Sequence, residues 1–560
     1  MFIPNPPLKI GLIVDSERAS KYLYDIAEWS QSQDNLFISH LIIQNKIPIQ
    51  QEIFKRSLRL LKDQGLLHFL SKLSFFIITK LEHLVLLGAR KYEDHLRLYD
   101  LTKIVPQSIK LEPIISQSGF IYRYPEEAIR NIRSLDLDLL IRGGSGILRG
   151  DILRSAKFGI LSFHHGNNRL FRGGPAGFWE VYFQQAQTGF IIQQLTEELD
   201  GGHVLRRGQF PTKFFYLLNQ ASLFRKSNFY LKQLLSEIAT TRSLPPIEET
   251  QPYFNRLFKT PNLYHQLVYV VTVFLSVVHK VFRLHVRKTY DSWGVSFSRT
   301  DWKTLVMWRA YKIKNPPNHY LADPFLFHEE GRDYCFVEDY HFKERKGCIS
   351  VYEINENNSE RLGEVLREPF HLSFPFLFRY QSKIYMCPET RENKDIRLYE
   401  CARFPLQWRL SRIVMKDVYA SDTLIFEHDG IWWLITNIDP MGGEIGCSDL
   451  CIFFSDKPIS DKWEPHPRNP ICIDSSKGRN GGILYHDKSI YRVSQKQGFD
   501  MYGKGFSINK ILLLTKEHYL EAEVCSIEPN FYPNIKGTHH LHSIGNLSAF
   551  DYVREVRVKQ

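Results

Sequence analysis

The stretch Phe158–Leu205, FGILSFHHGNNRLFRGGPAGFWEVYFQQAQTGFIIQQLTEELDGGHVL, orders strands, glycine turns and ionisable residues in a way that decides the fold of the first half of the chain. An apolar strand, Gly159–His164, ends at a histidine, and a later strand, Thr188–Leu195, is followed by a turn that contains Asp200. We expect these two side chains to meet across a cleft, where a carboxylate beside an imidazole raises the pKa of the ring and fixes its orientation. Such a pair suits the removal of a proton from an attacking amine.

Three earlier apolar stretches have the length of buried strands: Lys9–Val14, Ser39–Asn45 and Asp138–Arg142. With helical stretches between them, they predict a parallel α/β sheet. Ligands of such sheets bind beyond the carboxyl ends of the strands. The glycine-rich loop after Arg142 and the loop after His164 both lie at such ends, so we expect the site there.

This segment resembles the folate-dependent formyltransferases, which include methionyl-tRNA, glycinamide-ribonucleotide and sugar-amine N-formyltransferases. The likeness lies in the RGG-P-x-x-FW run from Arg172, in TGFIIQQLTEELDGGHVL (188–205) and in DLLIRGGSGIL (138–148). It covers roughly residues 100–215. The resemblance implies 10-formyltetrahydrofolate as the cofactor and an amine as the acceptor.

By this resemblance the catalytic residues are His164, Asp200 and Ser162, the last at the position of the family's asparagine, which donates to the developing oxyanion. Such a donor is usually worth about 3 kcal/mol. The serine therefore leaves three alternatives open: a transferase with an altered site, related acyl or hydrolytic chemistry, or an inactive binding module. The implied cofactor-binding residues are Arg142, Gly143, Gly144, Ser145, Gly146 and Ile147, and the implied substrate-binding residues are Asn167, Arg172, Gly173 and Gly174.

From about residue 295 the helical patterns give way to short aromatic strands in a loose repeat. Five phrases start 51, 48, 59 and 58 residues apart: DPFLF (323–327), FPFLF (374–378), DTLIF (422–426), GGILY (481–485) and HHLHSIGNLSAF (from 539). A polar turn and a second aromatic strand follow each of the first four. Units of about 50 residues with several strands are typical of propeller blades. The pattern predicts an all-β five-bladed propeller, with a β-sandwich as the alternative.

The repeat region resembles five-bladed glycosidase-like propellers and the propeller beside the glycosyltransferase domain of plant glucosamine inositolphosphorylceramide transferases. The phrases LADPFLF, MCPET, FPLQW, HPRNP and GRNGG carry that likeness. It implies carbohydrate binding or modification, since carboxylates from separate blades could act as a pair on a sugar. The alternative is that these side chains cap turns and brace the blades. The candidate residues are Asp323, Glu338, Glu389, Asp422, Arg479 and His539.

Composition narrows the class of function further. The net charge of +11 over 560 residues is mild, and an aromatic, acid-containing repeat suits nucleic acid poorly. No P-loop and no GxGxxG follows a predicted strand, which argues against nucleotide hydrolysis and NAD chemistry. The eight cysteines lie from Cys335 onward without a CxxC pair, so we expect reduced thiols and no bound metal. Without a recognisable signal peptide, the sequence predicts a cytoplasmic protein.

The predicted organisation is a formyltransferase-like α/β domain over 1–255 with a helical insertion at about 53–91, a helical linker over 256–294, and the propeller over 295–560. The apolar and basic stretches 53–91 and 263–288 are expected to pack on the protein, with a peripheral contact to an anionic membrane as the alternative. The longest apolar run, Leu267–Val278, has 12 residues, fewer than the about 20 needed to cross a bilayer.

Together these features predict an enzyme that transfers a formyl group from 10-formyltetrahydrofolate to the amine of an amino sugar or a related glycan precursor. The alternative is a glycan-binding or glycan-processing propeller protein with a degenerate formyltransferase domain. Both hypotheses give the protein a small-molecule or glycan partner.

Overall fold

The computed structural model describes residues 6–44, 65–89, 92–117, 119–198, 201–249, 251–442 and 449–557. The chain divides into a first unit, Met1–Gly208 with Thr212–Leu275, and a second unit, Gln209–Pro211 with Ser276–Gln560. The first unit is built on a largely parallel sheet and the second on antiparallel sheets alone, which confirms the predicted multidomain class. The domain and linker limits given above stay predictions.

The first unit is organised around a seven-stranded sheet. In sheet order its strands are His203–Pro211, Gln187–Gln194, Ile160–His164, Leu139–Arg142, Leu8–Val14, Leu36–Gln44 and Ser108–Leu111. The pairs from Ile160–His164 to Ser108–Leu111 are parallel, and Gln187–Gln194 runs antiparallel to Ile160–His164. The four predicted strands and the strand that begins near Thr188 are therefore confirmed, within about two residues at most ends and as expected for such boundaries.

The strands of the parallel part are almost continuously apolar because helices cover both faces of the sheet. Ile13, Ile42, Leu140 and Ile160 are all fully buried in one core cluster. Among the described residues, the helices of this part of the chain are Lys21–Ser30, Leu66–Leu86, Glu126–Arg133, Phe178–Tyr182, Tyr216–Thr241 and Leu263–Val281, the last of which continues into the second unit. Two short 3₁₀ turns, Leu101–Lys103 and Asp151–Arg154, complete the list.

The helix after the arginine-containing loop is short. It begins at Phe178 and ends at Tyr182, because Gln184 adopts a left-handed conformation with φ of 50° that ends the helical turn. Small strand pairs flank the main sheet: Arg18–Ser20 with Leu98–Asp100, Arg172–Gly173 with Leu257–Phe258, and Ile121–Arg123 with both Ile114–Ile115 and Ile147–Leu148.

The second unit contains five antiparallel sheets. Four of them follow one another along the chain: sheet 1 (His319–Glu329, Arg332–His341, Lys346–Ile354, Ser359–Leu366), sheet 2 (Ser373–Tyr380, Lys383–Glu389, Asp395–Arg403, Gln407–Lys416), sheet 3 (Ala420–His428, Ile431–Ile438, Asp449–Ser455, Glu464–Pro465, Cys472–Ile473) and sheet 4 (Asn480–His486, Ser489–Gly498, Met501–Leu514, Tyr519–Ile527). The first four repeat phrases lie in the first strands of sheets 1 to 4, whereas the fifth spans the strand Leu541–Ile544 and the start of Leu547–Arg557.

Sheet 5 joins distant parts of the chain. Thr289–Ser298 pairs over its whole length with Leu547–Arg557, and the sheet is completed by Tyr311–Lys312, Ile535–Gly537 and Leu541–Ile544. The first strand of each of sheets 1 to 3 contacts the first strand of the next sheet, and Leu541–Ile544 contacts the first strands of sheets 4 and 1. Closure of the five sheets as a propeller stays a prediction.

A repeated backbone irregularity marks the first strands of sheets 1, 2 and 3. Asp323, Phe374 and Asp422 have φ values of 50°, 48° and 52°, each at a register shift in the pairing of the first two strands. A bulge of this kind turns a side chain out of the regular alternation of the strand. Aspartate tolerates the left-handed conformation better than most residues, so two of the three bulges can carry a carboxylate.

Candidate functional sites

A cavity of about 260 Å³ lies at the carboxyl end of the parallel strands of the first unit. Arg142 and His164 are the last residues of two neighbouring strands, and both line the cavity, together with Ser162, Gln193 and Glu198. This is the edge of the sheet where the sequence placed a site. Asp200, the predicted acidic partner of His164, lies outside the described residues.

The imidazole of His164 bonds to its own loop. Its Nε2 atom lies 3.0 Å from the carbonyl oxygen of Phe171. A carbonyl oxygen only accepts hydrogen bonds, so this contact places a proton on Nε2. Nε2 therefore acts as a donor that ties the strand end to the arginine-containing loop, and it is not available there as a base.

Ser162 and Arg142 also bond to the protein around them. The hydroxyl of Ser162 donates to the carbonyl oxygen of Phe163 over 3.2 Å, and its oxygen lies 3.4 Å from the Arg142 guanidinium. The same guanidinium donates to the carbonyl oxygen of Gly146. In this arrangement the Ser162 hydroxyl proton is directed at a backbone carbonyl oxygen, and the role of Ser162 as an oxyanion donor stays a prediction.

The predicted cofactor loop Gly143–Ile147 is held by two side chains that the sequence reasoning missed. The Asp15 carboxylate accepts the Ser145 backbone N–H at 3.0 Å, and Gln44 donates to the Ser145 carbonyl oxygen at 3.1 Å. Gln44 also donates to Asp15 at 3.0 Å. Both residues stand at or just after the ends of the first two predicted strands, and that position was the available signal.

The predicted substrate-binding loop is likewise tied to the scaffold. The Asn167 amide oxygen accepts the Arg169 backbone N–H at 3.1 Å and lies 3.2 Å from the Arg207 guanidinium. Arg172 donates to the Asn168 carbonyl oxygen at 2.9 Å, and its guanidinium carbon lies 4.4 Å from the centre of the Tyr253 ring.

Gly173 and Gly174 have structural roles in the predicted substrate-binding loop. Gly173 has φ of 100°, and a Cβ there would lie 2.1 Å from the Phe258 carbonyl oxygen, so only glycine fits beside that strand. The Gly174 carbonyl oxygen accepts the indole N–H of Trp179 at 3.1 Å. These two positions shape the loop, and their backbone groups are engaged within the unit.

His165, the neighbour of His164, points into the core. Its ring lies 4.4 Å from the ring of Phe224, and its Nε2 lies 3.1 Å from the Ser227 hydroxyl. Burial lowers the pKa of His165 to about 3, so the ring is neutral and packs as an aromatic residue.

The second unit brings the six predicted residues Asp323, Glu338, Glu389, Asp422, Arg479 and His539 into one group, here called the central cluster. They come from sheets 1, 2 and 3, from the residue before sheet 4 and from the segment before Leu541–Ile544 of sheet 5. All six side chains are buried or nearly so. Even the Glu389 side chain is only 11% exposed. Sequence reasoning placed these residues together, and the structure agrees.

His539 lies between two carboxylates. Its Nε2 is 3.2 Å from Asp323 and its Nδ1 is 2.7 Å from Asp551. Although burial alone would lower it, the charges of Asp551 and Asp323 raise the pKa of His539 to about 10. Burial opposes the ionisation of Asp323, but the adjacent His539 lowers the pKa of Asp323 below its usual value. The two side chains therefore form a buried ion pair at neutral pH.

Arg479 holds the second pair of carboxylates. It donates to Asp422 and lies 3.7 Å from Glu389, which in turn accepts the Asp422 backbone N–H at 3.3 Å. Burial raises the pKa of Asp422 to about 7 against the opposing charge of Arg479, and Glu389 and Asp323 add to the rise. At neutral pH this carboxyl group can both give and take a proton, which is the condition for general acid–base catalysis.

Glu338 lies among polar aromatic neighbours. The Tyr320 hydroxyl donates to it over 3.4 Å, and His371 Nε2 lies 3.6 Å away. Burial, together with the charge of Asp323, raises the pKa of Glu338 well above its usual value. Two half-buried aromatic rings border the cluster: the Trp293 ring lies 4.2 Å from that of His539, and the Tyr502 ring 4.9 Å from the Arg479 guanidinium carbon.

Several cluster members also brace neighbouring sheets, as the alternative interpretation expected. Asp323 accepts the Phe374 backbone N–H at the bulge of sheet 2 over 3.2 Å, and Gln495 of sheet 4 donates to Asp422 over 3.3 Å. Sequence reasoning missed Asp551 and Tyr502. Asp551 follows the last repeat phrase directly, and its position as an acid inside an apolar strand, AFDYV, was the signal.

Three sets of side chains among the described residues have the ligand types of a metal site: Asp323–His539–Asp551, His319–Asp339–His341 and His341–Cys348–Glu364. In the first set the histidine already lies between the two carboxylates. In the second, Asp339 also accepts from Ser350 at 2.7 Å and from Arg361 at 3.2 Å. These sets bond internally and to nearby arginine and serine side chains, so the side chains present do not call for an ion.

Residues 305–542 match the sequence family described as "Glucosamine inositolphosphorylceramide transferase 1, N-terminal". The chain is 36% identical over 249 residues to Glucosamine inositolphosphorylceramide transferase 1 of Arabidopsis thaliana. This match covers 41% of this chain and 32% of the relative. The relative of the same name in Oryza sativa subsp. japonica is 36% identical over 213 residues, 37% of this chain and 28% of the relative. The matches thus span about a third of the length of these relatives and confirm the predicted likeness to the plant transferases.

Two solved structures are distant neighbours. Zg3597, a family 117 glycoside hydrolase from Zobellia galactanivorans, is 10% identical, with a TM-score of 0.31 over 47% of this chain and 90% of that one. Glycinamide ribonucleotide transformylase 1 from Symbiobacterium toebii is 12% identical, with a TM-score of 0.29 over 43% of this chain and 92% of that one. The formyltransferase likeness is limited to such remote structural similarity.

The predicted formyl transfer from 10-formyltetrahydrofolate to an amino sugar is wrong. The relatives are named as glucosamine inositolphosphorylceramide transferases, and formyl transfer has no counterpart among them. The bonds in the first unit agree with this correction, because Nε2 of His164 and the hydroxyl of Ser162 both donate to backbone carbonyl oxygens. Binding of 10-formyltetrahydrofolate by the first unit stays a prediction.

Proposed function

We propose that the protein takes part in glycosyl transfer to a sugar-bearing inositol phospholipid, and that the central cluster of the second unit binds the polar headgroup of that lipid. The observation that carries the proposal is the family match over 305–542, because this range contains all six residues of the central cluster. The name of the family supplies the substrate class, and the geometry of the cluster supplies the binding chemistry.

We infer that the five sheets close as a propeller around the central cluster. Support comes from the pairing of Thr289–Ser298 with Leu547–Arg557 and from the contacts between successive first strands. Such an arrangement directs the first strands of all sheets toward one axis. The bulges at Asp323 and Asp422 then turn their carboxylates toward that axis.

The side chains of the cluster match the groups of a glycosylated inositol phosphate. Carboxylates accept hydrogen bonds from sugar and inositol hydroxyls, and they pair with the ammonium group of a hexosamine. The Arg479 guanidinium supplies donors in a planar fork that suits a phosphate. The rings of Trp293 and Tyr502 offer apolar faces of the kind that pack against a sugar ring.

Asp422 is the residue we place in the proton-transfer step. In glycosyl transfer the anomeric carbon of an activated sugar donor breaks its bond to the leaving group, which departs with the bonding electrons, and forms a bond to the acceptor oxygen. The acceptor hydroxyl loses its proton in this step, and a carboxylate within reach can take it. The pKa of Asp422, raised to about 7, leaves about half of this group ionised at neutral pH and makes it a stronger base than an ordinary aspartate.

Calorimetric titration with a soluble inositol phosphate that carries a hexosamine tests the proposal. We expect binding by the full chain, and binding weaker by about tenfold or more in Asp422→Asn and in Glu389→Gln, because each loses a charge-assisted hydrogen bond to the ligand. Myo-inositol 1-phosphate without the sugar should bind less tightly than the glycosylated probe. Equal affinity of the wild type and both variants would refute the assignment.

Asp487→Asn is the matched control. It removes the same charge from the second unit, but the Asp487 side chain is 87% exposed in the turn between the first two strands of sheet 4. We expect this variant to bind as the wild type does. Thermal unfolding of all variants separates a lost ligand contact from a lost fold.

A further inference from the structure

Two helices leave large apolar side chains open to solvent. In Leu66–Leu86 and Leu263–Val281 the side chains that point outward are leucine, isoleucine, valine and phenylalanine, with exposed fractions that reach 72% at Leu67 and 64% at Phe274. The exposed apolar residues are Leu66, Leu67, Leu70, Leu73, Phe76, Ile77, Leu81, Leu84 and Val85 on the first helix, and Leu263, Tyr264, Leu267, Val270, Val271, Phe274, Leu275, Val277, Val278 and Val281 on the second. Scattered apolar residues are normal on a protein surface, but a contiguous set of this size marks a binding surface.

Several uncharged or acidic polar side chains of these helices bond to one another between the two helices. The Gln266 amide donates to the Ser71 carbonyl oxygen over 2.6 Å, and the Ser74 hydroxyl donates back to Gln266 over 2.6 Å. The Tyr269 hydroxyl donates to the Glu82 carboxylate over 2.7 Å. A helix pair that meets water puts its apolar stripe inside and its polar residues outside. Here the order is reversed, and helices joined by polar side chains with apolar residues outside are typical of a lipid environment.

The second helix also has the length and composition of a lipid-embedded segment. Leu263–Val286 comprises 24 residues with a mean hydropathy of 1.8, and only 6% of its most apolar window is buried. At 1.5 Å per residue such a helix is about 36 Å long, which matches the apolar thickness of a bilayer. The 12-residue run considered from the sequence underestimated it, because the helix continues on both sides of that run.

The charges on the two helices favour an anionic lipid surface. Leu263–Val286 contains no aspartate or glutamate, and the single acid of Leu66–Leu86 is Glu82, which bonds inward to Tyr269. Lys72, Lys80 and Arg287 carry positive charge on or beside the helices. A protein partner would be expected to meet a surface that mixes aromatic residues with arginine and a polar rim. The aliphatic composition here favours acyl chains instead.

We propose that the outward faces of Leu66–Leu86 and Leu263–Val281 form a lipid-binding surface that inserts into an anionic bilayer. The apolar side chains enter the acyl region, and the lysine and arginine side chains reach the headgroups. Residues 53–64, 90 and 91 of the first stretch lie outside the described residues. For the two helices that the structure describes, the expectation that they pack on the protein is met only on their inner sides. The surface stands on the two helices alone, whatever ligand the central cluster binds.

Flotation of the full chain with vesicles tests the surface. We expect the protein to float with vesicles of phosphatidylcholine and phosphatidylserine, and less with phosphatidylcholine alone, because the anionic lipid attracts the basic side chains. The variant Leu84→Asp with Phe274→Asp should bind at least about tenfold more weakly, since each change puts a charge into the acyl region. Failure of the wild type to float with either vesicle would overturn the proposal.

A matched control exists on sheet 4. Leu520→Asp with Val524→Asp also replaces two apolar residues, which are 54% and 55% exposed, far from these helices in sequence. We expect this variant to float as the wild type does. A loss of binding as large as that of the helix variant would show that added negative charge alone reduces binding, and it would remove the support for an apolar surface.

A second measurement reports insertion directly. Phe274→Trp places a fluorophore on the outer face of the second helix, and brominated phospholipids quench tryptophan only at the depth of the acyl chains. We expect strong quenching with the full chain on vesicles. Absence of quenching, together with a dimer in sedimentation velocity that Leu84→Asp with Phe274→Asp converts to a monomer, would assign the face to a second copy of the chain and overturn the proposal.

Discussion

The cleft of the first unit and the central cluster of the second unit differ in where their polar side chains bond. In the cleft, His164, Ser162 and Arg172 donate to backbone carbonyl oxygens of nearby residues. In the cluster, Asp323 and Asp422 bond to ionisable side chains that arrive from other sheets, His539 and Arg479. The first set of bonds fixes a loop, whereas the second acts against burial: His539 lowers the pKa of Asp323, and Arg479 opposes the rise that burial causes in the pKa of Asp422.

A sequence motif can thus keep its backbone geometry while its polar side chains bond to the backbone around them. The strand ends and the arginine-containing loop of Phe158–Leu205 are where the motif predicts them, while Nε2 of His164 and the Ser162 hydroxyl donate to backbone carbonyl oxygens. The residues of the central cluster form no contiguous motif, yet its four acids and two cations interact electrostatically. Coupled, perturbed ionisable groups are the better marker of a functional site.

We expect the largest effect on the free energy of unfolding when the arginine of the central cluster is replaced. Arg479→Met leaves the carboxylates of Asp422 and Glu389 buried without their cation, which should cost about 3–5 kcal/mol of unfolding free energy. Arg172→Met in the first unit removes a half-buried guanidinium that donates to one carbonyl and should cost about 1 kcal/mol. Chemical denaturation of both variants measures the difference. Equal losses would mean that the two regions are built alike.

Alkaline pH should weaken the cluster by an intermediate amount. The pKa of His539 is raised from 6.5 to about 10, so its protonated form stabilises the fold below pH 6.5, and this contribution is lost as the pH rises through 10. The loss should be on the order of 2–4 kcal/mol. Unfolding measured from pH 6.5 to 10 should show it. The variant Asp551→Asn, which removes one of the two partners of His539, should give a flatter profile; an unchanged slope would contradict the assignment.

The smallest expected effect is that of His164→Ala. The variant loses one hydrogen bond to the Phe171 carbonyl oxygen, worth about 1 kcal/mol of stability. Binding of the glycosylated inositol phosphate by the second unit should not change. Calorimetric titration of this variant and of Asp422→Asn compares the two regions directly. A loss of binding in His164→Ala would mean that the cleft of the first unit takes part in the same function.

Local patterns predicted much of the fold. The apolar strands, the Arg-Gly loop and the repeat phrases of sheets 1 to 4 were readable because each depends on residues close in the chain. Ser108–Leu111, an edge strand of the main sheet, was missed since SIKL has only two apolar residues. The long helix Tyr216–Thr241 was also missed, and its buried face includes Asn219, Gln220 and Ser227, which weaken the apolar period.

The site was predictable only in part, for a physical reason. The acids of the repeat were found because Asp323 and Asp422 stand at corresponding places in two phrases. Their pKa values depend on Arg479 and His539, which lie more than 50 residues away in the chain, and no local pattern reports such distances. The same limit applies to His164. Its hydrogen bond to the Phe171 carbonyl oxygen places a proton on Nε2, and the sequence alone does not predict that bond.

The pairing of Thr289–Ser298 with Leu547–Arg557 has a consequence for biosynthesis. A ribosome must add more than 240 residues after the first of these strands before the second exists. At translation rates of about 5–20 residues per second this takes roughly 10–50 s. During that time the nascent chain carries several completed hairpins and one unmatched strand, so its yield in a cell should depend on chaperones that shield strand edges until synthesis reaches residue 557.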